Sequence, residues 1–136
     1  MMELKGIAHL NLTVSDFERS FPFYEKLFAL VGLRPMISTD AYYYCVGKRI
    51  AIGIQSASAQ NASEPFDQGR AGLHHFCLSM QSREDVDALA AFVADEGMTV
   101  VREPASQDHW FPGMYSFLFE DSDGIRIEAN HIAKAR

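Results

Sequence analysis

The sequence predicts an α+β fold built from two βαβββ modules, whose curved mixed sheets surround a cleft. Two stretches show a similar alternation of apolar and polar residues that begins near a histidine, at 7–15 and at 73–81. Side chains alternate across a strand, so each stretch has one apolar face and one polar face that carries the histidine. Each stretch is followed by one helix pattern and three short strand patterns. The chain therefore reads as an internal repeat.

The first module is expected to span about residues 5–57. A strand over 6–14 leads to a helix whose N-cap we place at Ser20, which puts Pro22 in the first turn, where its missing N–H costs nothing. Gly32 is expected to end this helix, because glycine readily adopts the backbone of a helix C-terminus. An apolar stripe and three strands complete the module: Tyr24, Leu27, Phe28 and Val31 in the stripe, and strands at 33–37, 41–46 and 49–56.

The second module, about 72–132, follows a polar, turn-rich linker at 58–71. A strand over 73–81 leads to Ser82, a good N-cap with the acidic Asp85 three positions on. The other expected features are an apolar stripe (Val86, Leu89, Ala90, Val93), a helix end at Gly97, strands at 98–103, 114–120 and 125–132, and a tight turn at 121–124.

The spacing of the two halves supports the repeat. His9 lies 23 positions before Gly32, and His75 lies 22 positions before Gly97. A repeat unit of about half the chain predicts that the fold consists of two similar modules.

Length and composition predict one globular domain over residues 1–136. The chain is 48% hydrophobic and carries a formal net charge of −6, which argues against nucleic acid or an anionic membrane as its main partner. It has no apolar run of membrane-spanning length and no signal-peptide pattern at its start, so a cytoplasmic location is expected. The two cysteines, Cys45 and Cys77, are expected to be buried, reduced thiols.

Four side chains that can bind a metal fall on the first and last strands of the two modules. His9 and His75 begin the two strand repeats, and Gln55 and Glu128 lie on the last strands, on the face opposite the isoleucines. Two histidines and one carboxylate suit Fe, Mn, Ni, Co or Zn, with positions left open for substrate. A buried Glu128 without a partner would be costly, which favours a metal there.

Four motifs resemble the vicinal oxygen chelate superfamily. This superfamily includes glyoxalase I, bleomycin resistance proteins, ring-cleaving (extradiol) dioxygenases, methylmalonyl-CoA epimerase and fosfomycin-resistance thiol transferases. The motifs lie at 7–16, 23–28, 72–76 and 117–128, and the last is close to the family's Phe-x-Asp-Pro-Asp-Gly-x-x-x-Glu ending. Ser122 replaces the proline of that motif.

The resemblance implies a metal set of His9, His75 and Glu128, with Gln55 at the position where glyoxalase I usually has Glu. It implies a small substrate with vicinal oxygens, a homodimer, and Glu128 as the proton shuttle if the reaction is of the lyase or isomerase type. Dioxygenase and thiol-transfer chemistry stay open. The alternative is a metal-free protein that sequesters a drug or metabolite.

Several neighbours of these residues have two interpretations. Alternation puts His74 on the face opposite His75, where it would be structural or would support a metal ligand without binding the metal itself. Arg126 and Asn130 share the face of Glu128, where they could contact an anionic substrate or form a solvated rim. The aromatic loop at 109–114 could cover the cleft or pack in a dimer.

Overall fold

A computed structural model describes residues 1–134, which form two compact units divided between Glu64 and Pro65. The division falls inside the predicted linker. Within the described residues each unit contains one helix and one four-stranded mixed sheet. The predicted α+β class, with two βαβββ modules, is therefore confirmed. Neither helix is long and apolar enough to cross a membrane.

The first unit has its sheet order β1-β4-β3-β2, in which β1 pairs parallel with β4 and the other pairs are antiparallel. The helix buries Tyr24, Leu27 and Phe28 of the predicted stripe, whereas Val31 is its half-buried C-cap. The isoleucines of the last strand, Ile52 and Ile54, are buried as well. The elements are β1 (His9–Val14), α1 (Phe17–Leu30), β2 (Arg34–Ser38), β3 (Tyr42–Val46) and β4 (Ala51–Ser56).

The second unit repeats this topology, with order β5-β8-β7-β6 and a parallel β5–β8 pair. The predicted helix stripe is buried throughout, with each of its residues at most 7% exposed. The elements are β5 (Phe76–Ser79), α2 (Arg83–Asp95), β6 (Thr99–Ser106), β7 (Met114–Glu120) and β8 (Arg126–Ile132).

The N-cap predicted for the first helix is wrong. Asp16, not Ser20, caps α1: its backbone is extended and its Oδ1 accepts a hydrogen bond from the Arg19 N–H at 3.0 Å. Ser20 lies inside the helix and is buried, and Pro22 follows it there. Proline at that depth removes one intrahelical hydrogen bond. The carboxylate cap starts the helix a full turn earlier than the proline rule indicates.

The second helix begins as predicted. Ser82 is extended and its hydroxyl accepts from the Asp85 N–H at 3.1 Å. Both helices are followed by a glycine with positive φ, +81° at Gly32 and +76° at Gly97, which is the conformation expected there.

The strand predicted over 73–81 is shorter in the structure. β5 begins at Phe76, so His74 and His75 lie in the segment that enters the strand rather than in the strand itself. The rule that consecutive side chains point to opposite faces does not apply to this pair.

Candidate functional site

His75 and Glu128 meet in the second unit. Glu128 lies on β8 opposite Cys77 of β5, and His75 precedes β5 by one residue. His75 Nε2 lies 3.2 Å from Glu128 Oε2. The carboxylate is only 9% exposed. A buried acid in contact with an imidazole is an arrangement that can bind a cation or move a proton.

Arg102 contacts the other oxygen of the same carboxylate. Its Nη2 lies 3.5 Å from Glu128 Oε1 and donates to Ser116 Oγ at 2.7 Å. The Arg102 Nε–H is buried and has no hydrogen-bond partner within residues 1–134. Buried donors are rarely left unpaired, so this N–H is an unsatisfied donor beside Glu128.

Arg102 is a site residue that the sequence patterns do not predict. In the structure Arg102 is half-buried, as are Val100 and Pro104 of the same strand, and the pairing of β6 with β7 is irregular on both sides of Arg102. A guanidinium at an inward position of a strand needs a partner.

These side chains line one cavity of about 380 Å³ within the second unit. Trp110, Met114 and Leu118 form its apolar wall, and His74, His75, Arg102 and Glu128 form its polar end. Trp110 is the only tryptophan of the chain and is 75% exposed. The cavity therefore combines a hydrophobic wall with a charged end, as small-molecule sites usually do.

Two hydrogen bonds order the loop that carries Trp110. Asp108 accepts from the Gly113 N–H at 2.8 Å and from the Ser106 hydroxyl at 2.7 Å. These two bonds, that of Ser106 first, hold the pKa of Asp108 below its usual range. The loop predicted to cover a cleft thus contributes Trp110 to this cavity wall.

The expectation that His74 faces away from His75 is wrong. The two Nδ1 atoms lie 2.7 Å apart, and both rings line the cavity. The reason is that both residues precede β5, where the strand alternation has not begun.

Arg126 is engaged elsewhere. Its Nε donates to Glu120 Oε1 at 2.9 Å, and it is not among the residues that line the cavity. Arg102, and not Arg126, is the guanidinium that adjoins Glu128.

Cys77 is exposed, contrary to the prediction of a buried thiol, whereas Cys45 is buried as predicted. Although Cys77 reaches solvent, desolvation by the surrounding protein and then the negative charge of Glu128 raise the pKa of its thiol to about 12. The thiol stays protonated at neutral pH and is a poor nucleophile there.

His9 lies on an exposed polar face of the first unit. Its ring packs edge-on against Tyr44 at 6.2 Å between centroids. Beside it, the Tyr42 hydroxyl donates to Asn11 Oδ1 at 3.1 Å, and the two tyrosine rings stack at 5.9 Å. The predicted position of His9 on the polar side of β1 is therefore observed.

Gln55 and His9 do not come together within the first unit. The parallel register pairs His9 with Ala51 and Gln55 with Thr13. Four residues of strand, about 13 Å, separate the two positions. Gln55 as a metal ligand stays a prediction, and the register counts against it.

The register also corrects the proposed equivalence of Gln55 with Glu128. In the second unit, Glu128 lies opposite Cys77, two residues after the histidine. In the first unit, the residue two positions after His9 is Asn11, and Asn11 lies opposite Gly53. A side chain at Gly53 would collide with Asn11 Oδ1, so the Asn11 amide occupies this space. The residue equivalent to Glu128 is a glycine.

Within residues 1–134 there is no cluster of three or more His, Cys, Asp or Glu side chains that could hold a metal. The pair in the second unit nevertheless has suitable geometry. Metal bonds of about 2.0–2.2 Å at roughly 90–110° need donors about 3–3.5 Å apart. The distance of 3.2 Å between His75 Nε2 and Glu128 Oε2 meets this requirement.

A second cavity, of about 520 Å³, lies in the first unit. It is lined by Phe17, Glu18, Phe21, Ser38, Thr39 and Asp40. None of the predicted site residues borders it.

Comparison with known families gives one broad match. Residues 6–129 match the model of the glyoxalase/bleomycin resistance protein/dioxygenase superfamily. Because this match covers most of the chain, it accounts for the resemblance seen in the four sequence motifs.

Individual relatives share the fold at low identity. Glutathione transferase FosA of Serratia marcescens is 26% identical over 125 residues, covering 92% of this chain and 79% of that protein. A glyoxalase/bleomycin resistance protein from Albidiferax ferrireducens T118 superposes with a TM-score of 0.75 at 26% identity, over 91% of this chain and 97% of its own. A glyoxylase/bleomycin resistance protein/dioxygenase domain from Frankia sp. EAN1pec gives 0.76 at 23% identity, over 96% and 100%.

Proposed function

Because this chain belongs to the glyoxalase/bleomycin resistance protein/dioxygenase superfamily, we propose that it is a divalent-metal enzyme acting on a small substrate with vicinal oxygens. The observation that carries the proposal is the contact of 3.2 Å between His75 Nε2 and the buried Glu128 Oε2. Two donors that converge at this distance are suited to one metal ion.

The proposed ligands are His75 and Glu128, with His9 as the third on the strength of the sequence repeat. His9 would come from the same chain or from a second copy. Three ligands are proposed rather than four, because Gly53 stands at the position equivalent to Glu128. When bound, Fe, Mn, Ni, Co or Zn would supply a Lewis acid that polarises a substrate oxygen.

Arg102 would hold the anionic or carbonyl end of the substrate. Its Nε–H is buried and unpaired within the described residues, so an oxygen acceptor that reaches it satisfies a donor that is otherwise left without a bond. Ser116 keeps the guanidinium in place through the bond of 2.7 Å. The preferred substrate is therefore an acidic or dicarbonyl molecule.

The remaining side chains divide between proton transfer and exclusion of water. Glu128 would be the proton shuttle of lyase or isomerase chemistry. Trp110, Met114 and Leu118 would cover the body of the substrate. The similarity to a glutathione transferase keeps thiol transfer among the reaction classes, beside lyase, isomerase and dioxygenase chemistry.

Metal content of purified protein tests the proposal. Wild type, His75→Ala and Glu128→Gln would be reconstituted with Fe, Mn, Ni, Co or Zn and dialysed, with His109→Ala as an exposed-histidine control from the same unit. Wild type and the control should retain one ion per site, and the two site variants should lose it. Equal, near-zero metal in all four proteins would overturn the proposal.

A metal-free binding protein is the second candidate, and one observation favours it. Arg102 and His75 together occupy both oxygens of Glu128, which satisfies the buried carboxylate without a metal. Under this alternative, small acids would bind the metal-free protein and quench Trp110 fluorescence, and added metal would not change their affinity.

A further inference from the structure

We propose that His74 is a positioning residue for His75. In the metal-bound protein its Nδ1 would accept a hydrogen bond from the His75 Nδ1–H, which keeps the lone pair of His75 Nε2 directed towards Glu128 and the metal. This inference rests on the proposed metal function. It concerns the side chain that sets the orientation and tautomer of the ligand, rather than the ligand itself.

The first argument is the distance between the rings. The two Nδ1 atoms are 2.7 Å apart, and the ring centroids lie 5.0 Å apart with the planes at 75°. Two nitrogens at 2.7 Å must share one proton, because two lone pairs or two N–H groups would repel. One ring therefore donates and the other accepts.

The second argument comes from the far side of the His75 ring. If His74 donates, the neutral His75 carries its proton on Nε2 and donates it to Glu128 Oε2 across 3.2 Å. If a neutral His75 instead donates from Nδ1, its Nε2 lone pair faces the carboxylate, and that contact is favourable only when a cation lies between them. The first arrangement suits the metal-free protein and the second suits the metal-bound one.

An imidazole at position 74 can serve both arrangements, whereas a backbone carbonyl could only accept. In the change between them, the proton on His74 Nδ1 passes to His75 Nδ1. The proton on His75 Nε2 leaves to solvent, and His74 Nε2 takes one from solvent. The pair of rings carries the same number of protons before and after the change. Metal-binding histidines usually have such a partner on the second nitrogen.

The affinity for a metal alone tests the inference. Zn²⁺ and Mn²⁺ would be titrated calorimetrically into wild type, His74→Phe and His74→Gln, with His109→Phe as the matched control. Phenylalanine cannot accept a hydrogen bond, so metal affinity should fall by about 10- to 100-fold. Glutamine can accept or donate after an amide flip, so it should restore most of the loss. The control should match wild type.

A spectroscopic signature accompanies the titration. Nitrogen-15 NMR of the imidazoles should show His75 protonated at Nε2 in the metal-free wild type and at Nδ1 after Zn²⁺ is added. In His74→Phe the hydrogen-bonded signal of His75 Nδ1 should be lost. An unchanged His75 signal in that variant would contradict the assigned role.

The possible failures can be told apart. If wild type binds Zn²⁺ and His74→Phe binds it equally well, the inference fails and the proposed function stands. If His74→Gln loses binding as completely as His75→Ala, His74 is itself a ligand and the positioning role is wrong. If wild type binds neither ion, the proposed function fails and the inference fails with it.

Discussion

At the scale of single residues, Glu128 is defined by the different partners of its two oxygens. Oε1 faces the Arg102 guanidinium at 3.5 Å, and Oε2 faces His75 at 3.2 Å. The guanidinium reduces the negative potential of the carboxylate and provides a donor for an anion. The same side chain therefore opposes the binding of a cation and favours the binding of an acidic substrate.

Replacement of Arg102 should separate these two effects. In Arg102→Met, loss of the positive charge should strengthen Zn²⁺ binding several-fold, because the Glu128 carboxylate no longer pairs with a guanidinium. Binding of oxalate, a small anion with vicinal oxygens, to the Zn²⁺-loaded protein should weaken by at least as much. Calorimetric titration of both ligands measures the two changes.

Arg126→Met is the matched control, because that arginine pairs with Glu120 at 2.9 Å and does not line the cavity. Changes of the same sign for metal and oxalate in Arg102→Met would exclude the assigned role. So would an effect of equal size in Arg126→Met.

At the scale of secondary structure, the start of α1 depends on one carboxylate. Asp16 caps the helix through the Arg19 N–H, and the helix continues past Pro22 although one of its hydrogen bonds is missing. The packing of the apolar stripe supports this weakened turn, since Tyr24 and Phe28 are each 1% exposed.

Asp16→Ala should lower the free energy of unfolding by about 1 kcal/mol, because one N–H of the first turn loses its acceptor. Denaturant unfolding followed by circular dichroism measures the change. Asp95→Ala is the control, since this exposed aspartate lies at the last residue of α2, where a carboxylate does not help the helix. A loss in Asp95→Ala as large as that in Asp16→Ala would argue against the cap.

At the scale of the whole molecule, the proposed metal set draws one histidine from the first unit and two ligands from the second. The third ligand could come from the same chain or from a second copy in the predicted homodimer. A dimer of this chain would need about 800 Å² of buried surface from each copy to be stable. Sedimentation velocity tests that expectation.

Mixing two variants that each lack one histidine of the proposed set tests whether His9 and His75 of one site come from the same chain. His9→Ala and His75→Ala chains would be unfolded together, refolded and analysed for metal. If each site takes His9 from one copy and His75 from the other, the mixed dimer has one intact site and recovers metal. If each chain supplies its own set, the mixture binds no more than either variant alone. Wild type refolded in the same way is the control.

The fold was largely predictable from local patterns. The strand alternation and the helix stripes repeat at matched spacing, and the burial of Val86, Leu89, Ala90 and Val93 follows directly from that periodicity. The N-cap of α1 is predicted wrongly at Ser20, because that position would place Pro22 in the first turn, where its missing N–H costs nothing. Packing against the sheet outweighed that single lost bond.

The candidate site was only partly predictable. His75 and Glu128 are predictable from the sequence because His75 repeats His9 and Glu128 ends the last family motif. Arg102 and the His74 contact were missed, since alternation within one strand does not say which side chains of neighbouring strands meet. Gln55 was matched to Glu128 by its place on a strand, and a difference of two residues in register assigned that position to Gly53.

The sequence by itself determined the repeated βαβββ order and the family, because periodicity and short motifs are properties of neighbouring residues. The tertiary structure alone decided which groups surround Glu128. Register, the start of β5 and the inward side of β6 bring His75, Arg102 and Ser116 to the same carboxylate. These contacts join residues far apart in the chain, and a shift of a single residue in register would send the same side chains to the opposite face.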